Sequence, residues 1–392
     1  MAALIAGGAA SRPVLGAAAE LSKQTVSLAV HELELLGLAE TVSSQQGPMG
    51  RAASIYDVGR RAGWLLGIDL GSTHVRIAAS TLSGVLIAER EHIIAGAPNQ
   101  ANANLGQAAG TIVRGFIREL EPTHGPLRSA CVALSRSVPE LRNWQNTELP
   151  GADLPQIIAQ IGIPPQIPVY AENNVNCAAL GEARHGGARG ERHLAYLQVG
   201  VGLGAGIITD GLLLRGMHGQ GGELRKLPVS PLFSPGPAPT NAQNELRAAG
   251  LIERYNASRS GEAGADAQSS EEVFRRAESG LPQAILAVRE EAAGIGHIAA
   301  VLAAVTAPDL IILGGGIGGS EALLPLVQRF LEGESITVRV SAGALGSSAT
   351  VAGAAALAAE LFLRGLLGPH SIMAISGYES RWSIGGMHSE GT

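Results

Sequence analysis

Positions 171–182 read AENNVNCAALGE, where three asparagines, Asn173, Asn174 and Asn176, follow a single carboxylate, Glu172. A carboxamide donates and accepts hydrogen bonds but cannot take up a proton at neutral pH, so this run can bind a ligand without reacting with it. A second chemical stretch is DLGST at 69–73. There the Asp69 carboxylate and the turn amides around Gly71 and Thr73 suit a phosphate with its magnesium, or serve only as a tight turn. A third, LQVGVGLGAGIITDG at 197–211, places Gly200, Gly202 and Gly204 in a second glycine turn. It is not a dinucleotide fingerprint, because IIT continues as strand where that motif needs a helix. PDLIILGGGIGG at 308–319 ends a buried strand in glycines that include Gly315, a place where a flat base or a ribose can lie.

Another chemistry is written into the first sixty residues. Val14, Leu15, Ala18 and Ala19 predict a short helix. Ser22 can cap a second one, whose stripe is Val26, Ala29, Val30, Leu33 and Leu36, with Gly37 as its stop. Its outward face carries Lys23, Gln24, Thr25, Ser27 and His31, hydrogen-bonding types near a helix N-terminus, where base edges and phosphates are met. LAETVSS and ASIYDV then read as a hairpin with Gly50 and Arg51 at its tip, and an arginine so presented can enter a narrow minor groove. Arg12 and Ser22 complete the expected DNA-contacting set. The module is not basic as a whole, with four cationic against five acidic residues in 1–60, so its salt-dependent affinity should be modest. A helical dimerisation arm with an ordinary hairpin is the plainer alternative.

The elements that must hold these residues follow from pattern. LLGID, HVRIAAST and GVLIAERE read as strands joined by tight turns, and strand–glycine turn–strand recurs at 197–211. A chain of 392 residues with 46% hydrophobic content supports two or three domains with sizeable cores. Aromatics make up only 3%, too few for single-strand stacking platforms, and a net charge of −6 excludes indiscriminate nucleic-acid coating. Two cysteines, Cys131 and Cys177, cannot form a disulfide framework or an all-cysteine zinc site and read as buried small side chains. No basic signal region opens the chain. The long apolar runs are broken by Pro308-Asp309 or Glu360, so no membrane span and a cytoplasmic location are expected. PLFSPGPAPTNAQNE and SRSGEAGADAQSSEE read as exposed loops, and residues 377–392 as a flexible tail.

Two glycine hairpins, a third glycine turn and a module in front resemble the ROK family of repressors and sugar kinases. AENNVNCAALGE, LRGMHGQGGELRKLP and SAGALGSSATVAGAAALA extend the likeness to nearly the whole length. The resemblance implies an α/β architecture: a winged helix-turn-helix over 1–60, then a two-lobed actin-like, ribonuclease H-like sugar-kinase fold. Its lobes would span 61–180 and 181–376. It also implies a homodimer or homotetramer on double-stranded operator DNA, with a sugar or sugar phosphate as effector.

Departures from the family pattern bear on activity. Kinases of the family use an aspartate in E-N-D-x-N as base, and Asn174 stands at that position, a loss worth on the order of 10²–10⁴ in rate. Glu172 is the nearest substitute. Val201 and Ala205 stand where threonine and glycine are usual, and Ser135-Arg136 replaces a P-G pair. The family's zinc histidine falls on Lys226 and its cysteines on Gly236, Ala238 and Gln243, so no metal site is expected. Asn173, Asn174, Glu223 and Lys226 are the expected ligand-binding residues. Asp69, Gly71, Thr73, Gly200, Gly202, Gly204 and Gly315 form a vestigial nucleotide site, and no cofactor is expected. The resulting reading is a sugar-sensing repressor that does not phosphorylate. An active sugar kinase and a ligand-independent DNA-binding regulator are the alternatives.

Overall fold

The computed structural model describes residues 1–46, 52–71, 74–93, 98–139, 144, 154–229, 240–259 and 265–367. Two compact units divide the chain. One comprises Met1–Ser135, Leu141–Glu172 and the chain from Ala354 onward, and the other Arg136–Glu140 and Asn173–Gly353.

Within the first unit, the N-terminal segment is built from helix Ala2–Gly7, the two-residue strand Ala10–Ser11, helices Arg12–Ala19 and Lys23–Leu35, and strands Ala39–Gln46 and Ala52–Val58. The strands form an antiparallel sheet with Ala52–Val58 in the centre. Leu4, Leu15, Val26, Val30, Ala39 and Tyr56 make its core, which joins every helix of the segment to the sheet. Pro13 near the start of Arg12–Ala19 fits a helix N-terminus, where its missing N–H is not needed. Glu20 ends that helix in the left-handed region at φ 53°, and Gly37 at φ 67° turns the chain into the hairpin. The tip residues Gly50 and Arg51 lie outside the described residues.

The rest of the first unit is built on a five-stranded sheet in the order Leu86–Ile93, His74–Thr81, Trp64–Leu70, Leu127–Leu134, Val169–Asn173, with helices Pro98–His124 and Leu154–Ile161. Trp64–Leu70 is buried along its whole length, because an antiparallel neighbour and a parallel one flank it. The second unit repeats this winding with the order Leu212–Leu213, Leu203–Thr209, Leu194–Val199, Leu310–Gly314, Arg339–Ala342. Its first pairings are antiparallel and its last two parallel. Helix Asn174–Arg184 lies on this sheet, and its core draws on helices Pro282–Thr306 and Leu324–Gly333. These mixed sheets with helices form an α/β fold.

Three expectations change. The expected loop over 231–245 holds the helix Ala242–Leu246, with Ala242 and Leu246 fully buried, and 231–239 lies outside the described residues. The expected loop over 258–272 becomes, after the undescribed 260–264, the start of helix Ser270–Glu278. That helix is capped by Ser269 and buries only Val273, Phe274 and Ser270, so its sequence is mostly polar although its position is not. Finally, Glu360 does not prevent Gly346–Gly365 from being long and apolar enough to span a membrane, although over half of that stretch is buried in the protein. Cys131 and Cys177 are buried and form no disulfide with each other. Residues 377–392 lie outside the described part.

Candidate functional site

In the second unit two of the expected ligand residues, Asn173 and Glu223, meet one short segment, Arg136–Val138. Strand Val169–Asn173 ends at Asn173, whose Oδ1 accepts from the backbone N–H groups of Val175 and Asn176 and so caps helix Asn174–Arg184. The asparagine run thus switches the chain from strand into helix, because a short polar side chain satisfies the free N–H groups of a first turn. The Asn173 carboxamide also donates to the Arg136 carbonyl at 3.1 Å. Asn174 is therefore the first residue of that helix, and Glu172, one step before the cap, is wholly buried.

Glu223 approaches the same segment from the loop 215–225. Its Oε1 accepts from the Ser137 hydroxyl at 2.5 Å and its Oε2 pairs with Arg225 Nε at 2.7 Å. The preceding Gly222 takes φ 77°, and a Cβ there would strike the Ala205 carbonyl, while the Ala205 N–H donates to the Gly222 carbonyl at 2.9 Å. Thus the strand residue Ala205, noted as a departure, seats the carboxylate. Arg215 donates to the Val138 carbonyl at 3.2 Å and Gly219 packs on it, so the loop grips Ser137 and Val138. Ser137 and Arg225 were missed from the sequence. The short distance from Glu223 to Arg225 offered the only hint. Lys226 ends the 3₁₀ turn Leu224–Lys226. Chemically the cluster can hold hydroxyls: Glu223 and Ser137 accept, while Arg225 and the carboxamides donate. Asn173 and Asn174 hold no proton-accepting group.

The expected nucleotide residues behave differently in each unit. In the first, Asp69 Oδ2 lies 3.3 Å from His74 Nε2. Arg76 reaches that same nitrogen at 3.1 Å and donates to Glu91. A Cβ on Gly71 would meet the His74 ring at 2.6–3.0 Å, so the imidazole lies directly against this glycine. Thr73 lies outside the described residues. In the second unit, Gly204 and Gly206 let helix Asn174–Arg184 approach: Cβ atoms there would come 3.2 Å from Val175 and 2.6 Å from Ala179. A Cβ on Gly200 would lie 3.2 Å from Gly316 N, and one on Gly315 (φ 82°) would strike Val199 O. Gly202 has open space, its nearest atom being Gln243 Oε1 at 3.9 Å. Val201, at the tip, is 80% exposed.

Behind the cluster, Glu182 is buried at the far end of the Asn174 helix and accepts from the N–H groups of Gly187 and Leu345, both at 2.9 Å. It ties two loops to the helix and leaves no oxygen facing solvent. Next to it, burial pushes the His185 imidazole down to about 4, with Arg184 and Arg189 adding to the shift. Among the described residues no group of three or more His, Cys, Asp or Glu is placed to hold a metal ion; Gln243 sits in helix Ala242–Leu246, and Gly236 and Ala238 are not described.

The expected DNA-facing residues separate into two kinds. Lys23, Gln24 and His31 are exposed on helix Lys23–Leu35, and Ser27 is half-buried. Ser22 Oγ instead accepts from the Thr25 N–H at 3.2 Å and shares a 2.8 Å hydrogen bond with the Thr25 hydroxyl. These two residues define the start of the helix. The Arg12 guanidinium stacks 5.0 Å from the centre of the Tyr56 ring and joins helix to hairpin.

Residues 65–361 match the model of the ROK family. The chain belongs to the ROK family. Among characterised relatives, the bifunctional enzyme NanE/NanK of Brucella melitensis is 34% identical over 197 residues, covering 50% of this chain and 36% of that protein. The xylose repressor of Caldicellulosiruptor bescii is 31% identical over 235 residues, covering 55% and 53%. The chain thus spans between about a third and a half of the length of these curated relatives. Among solved structures, a ROK family transcriptional regulator, a homologue of the E. coli MLC protein, shares the fold with a TM-score of 0.73 at 20% identity, over 94% of both chains. A ROK family glucokinase from Streptomyces griseus, solved with glucose and AMPPNP, has a TM-score of 0.60 at 22% identity and covers 76% of this chain and 100% of its own.

Proposed function

We propose that this ROK protein is a transcriptional regulator, a repressor that reads operator DNA through a winged helix-turn-helix and senses a sugar or sugar phosphate without phosphorylating it. Helix Lys23–Leu35 is the recognition helix of this module, and the hairpin Ala39–Gln46 with Ala52–Val58 is its wing. A dimer or tetramer in the cytoplasm would present such modules in pairs to a pseudo-palindromic site. The xylose repressor relatives and the 94% coverage of the regulator fold support this assignment, since the glucokinase fold covers only 76% of the chain.

The observation that carries the sensing half is that Asn173, the cap of helix Asn174–Arg184, bonds the Arg136 carbonyl next to the Ser137 hydroxyl that Glu223 accepts from. A sugar hydroxyl can be held there, but nothing at Asn173 or Asn174 removes its proton. Lys226, in the adjoining turn, would favour a phosphorylated or acidic sugar. Of the remnant set, Asp69, Gly71, Gly200, Gly204 and Gly315 serve local packing in this reading. For the effector to control DNA, it must bind the DNA-competent and DNA-incompetent states with different affinity.

Genomic footprinting of the tagged full chain, followed by titration of the bound operator with hexoses, pentoses and their phosphates, tests the proposal. Recovery of a two-fold symmetric site whose occupancy changes with one such sugar is the expected result. A coupled ATP-turnover assay runs in parallel. Sugar-dependent turnover at about 1 s⁻¹ or faster would make the chain a kinase, the reading that the NanE/NanK and glucokinase relatives favour.

A further inference from the structure

We infer that Leu28 is a base-reading residue that takes the C5-methyl of a thymine in the operator. This inference rests on the DNA-binding reading above and goes beyond it. Helix Lys23–Leu35 buries Val26 and Val30, which fixes the opposite face outward. Leu28 is 62% exposed on that outward face. It lies one turn from Gln24 and three residues from His31, both exposed, so the three side chains form one continuous patch. Gln24 and Leu28 sit in the first two turns after the Ser22 cap, the part of a recognition helix that enters the major groove, and His31 opens the third.

The chemistry of the patch matches a major-groove edge. Gln24 can pair with adenine N6 and N7, His31 can donate to or accept from a base edge, and an apolar side chain between them has one natural partner there, the thymine methyl. The competing occupant is a second copy of this chain, because Leu21, Leu28 and Leu35 repeat every seven residues and are exposed at 45%, 62% and 67%. A protein seam along that line would bury Gln24 and His31 against apolar neighbours without partners, a costly arrangement that base edges avoid. The polar flanks therefore favour DNA.

The full chain is first used to select its site from a pool of randomised duplexes. Each thymine of the selected duplex is then replaced singly by deoxyuridine, which removes only the methyl group, and binding is measured at fixed salt for the wild type and for Leu28→Ala. At one thymine per half-site the wild type should lose about fourfold in affinity on loss of the methyl. Leu28→Ala should bind the thymine duplex more weakly by a similar factor and ignore the deoxyuridine at that position. Its salt slope should match the wild type, because no charge is removed. Leu28→Ile should retain the discrimination, and melting curves of both variants check that the exposed position leaves the fold intact. A flat deoxyuridine scan, or equal sensitivity in wild type and Leu28→Ala, overturns the inference while leaving DNA binding standing. Loss of self-association by Leu28→Ala in sedimentation, with the scan unchanged, reassigns the residue to a contact between copies. If no duplex is selected at all, the DNA-binding reading fails and this inference fails with it.

Discussion

The two glycine turns that look alike in sequence are filled in different ways. At Gly71 the space that a side chain would occupy is taken by the chain's own His74 ring, which also contacts the Asp69 carboxylate. At the second turn the glycines lie further along, inside strand Leu203–Thr209, where Gly204 and Gly206 give room to helix Asn174–Arg184. Its tip, Val201, stands in solvent. Glycine thus meets a local demand in both places, a side-chain neighbour in one and a helix in the other. A glycine signature therefore marks close approach, and the approaching group has to be found in the structure.

Gly206→Ala gives the most severe way to break this comparison. Its new methyl would sit 2.6 Å from both Ala179 Cβ and the Val175 carbonyl, neither of which is a flexible side-chain end. A loss of about 3 kcal/mol or more is expected, read as a fall of several degrees in the melting temperature. Gly71→Ala should cost only about 1 kcal/mol, because the group it meets is an imidazole that can rotate away. A double-mutant cycle sharpens the point. In a His74→Ala background the same change should cost almost nothing, and equal costs in the two backgrounds would show that the ring does not fill this space. At the small end, Val201→Thr should change stability by no more than about 0.5 kcal/mol, since the side chain is exposed. A larger effect would mean that this tip is covered in the working protein.

Much of the scaffold was legible before the structure. Trp64–Leu70 and Leu310–Gly314 are short apolar runs bounded by turn residues, and Val26 and Val30 with Ser22 ahead of them mark a capped helix, although Ala29 and Leu36 of the expected stripe are exposed. Local rules sufficed there because local and tertiary preferences agree. AENNVNCAALGE was harder. Its leading asparagines were read as ligand-binding groups, although an asparagine ahead of a small-residue run is also a cap signal, and Asn173 proved to be the cap. Ser137 and Arg225 were invisible, because Glu223 meets Ser137 across 86 positions that only the fold brings together. Leu28 was passed over for a related reason. A leucine in a helix is assigned to the core by default, and only its exposure in the folded chain removes it.

Neither unit is a continuous piece of chain. Arg136–Glu140 leaves the first to join the second, and helix Ala349–Leu367 begins in the second and finishes in the first. Dissection at the gene level should therefore fail: a clone ending at Glu172 lacks the apolar residues Ala354–Leu363, and one starting at Asn173 lacks the Ser137 hydroxyl that Glu223 accepts from. Neither fragment would be a faithful half, and work on sensing or on DNA contact is best done with the uncut polypeptide.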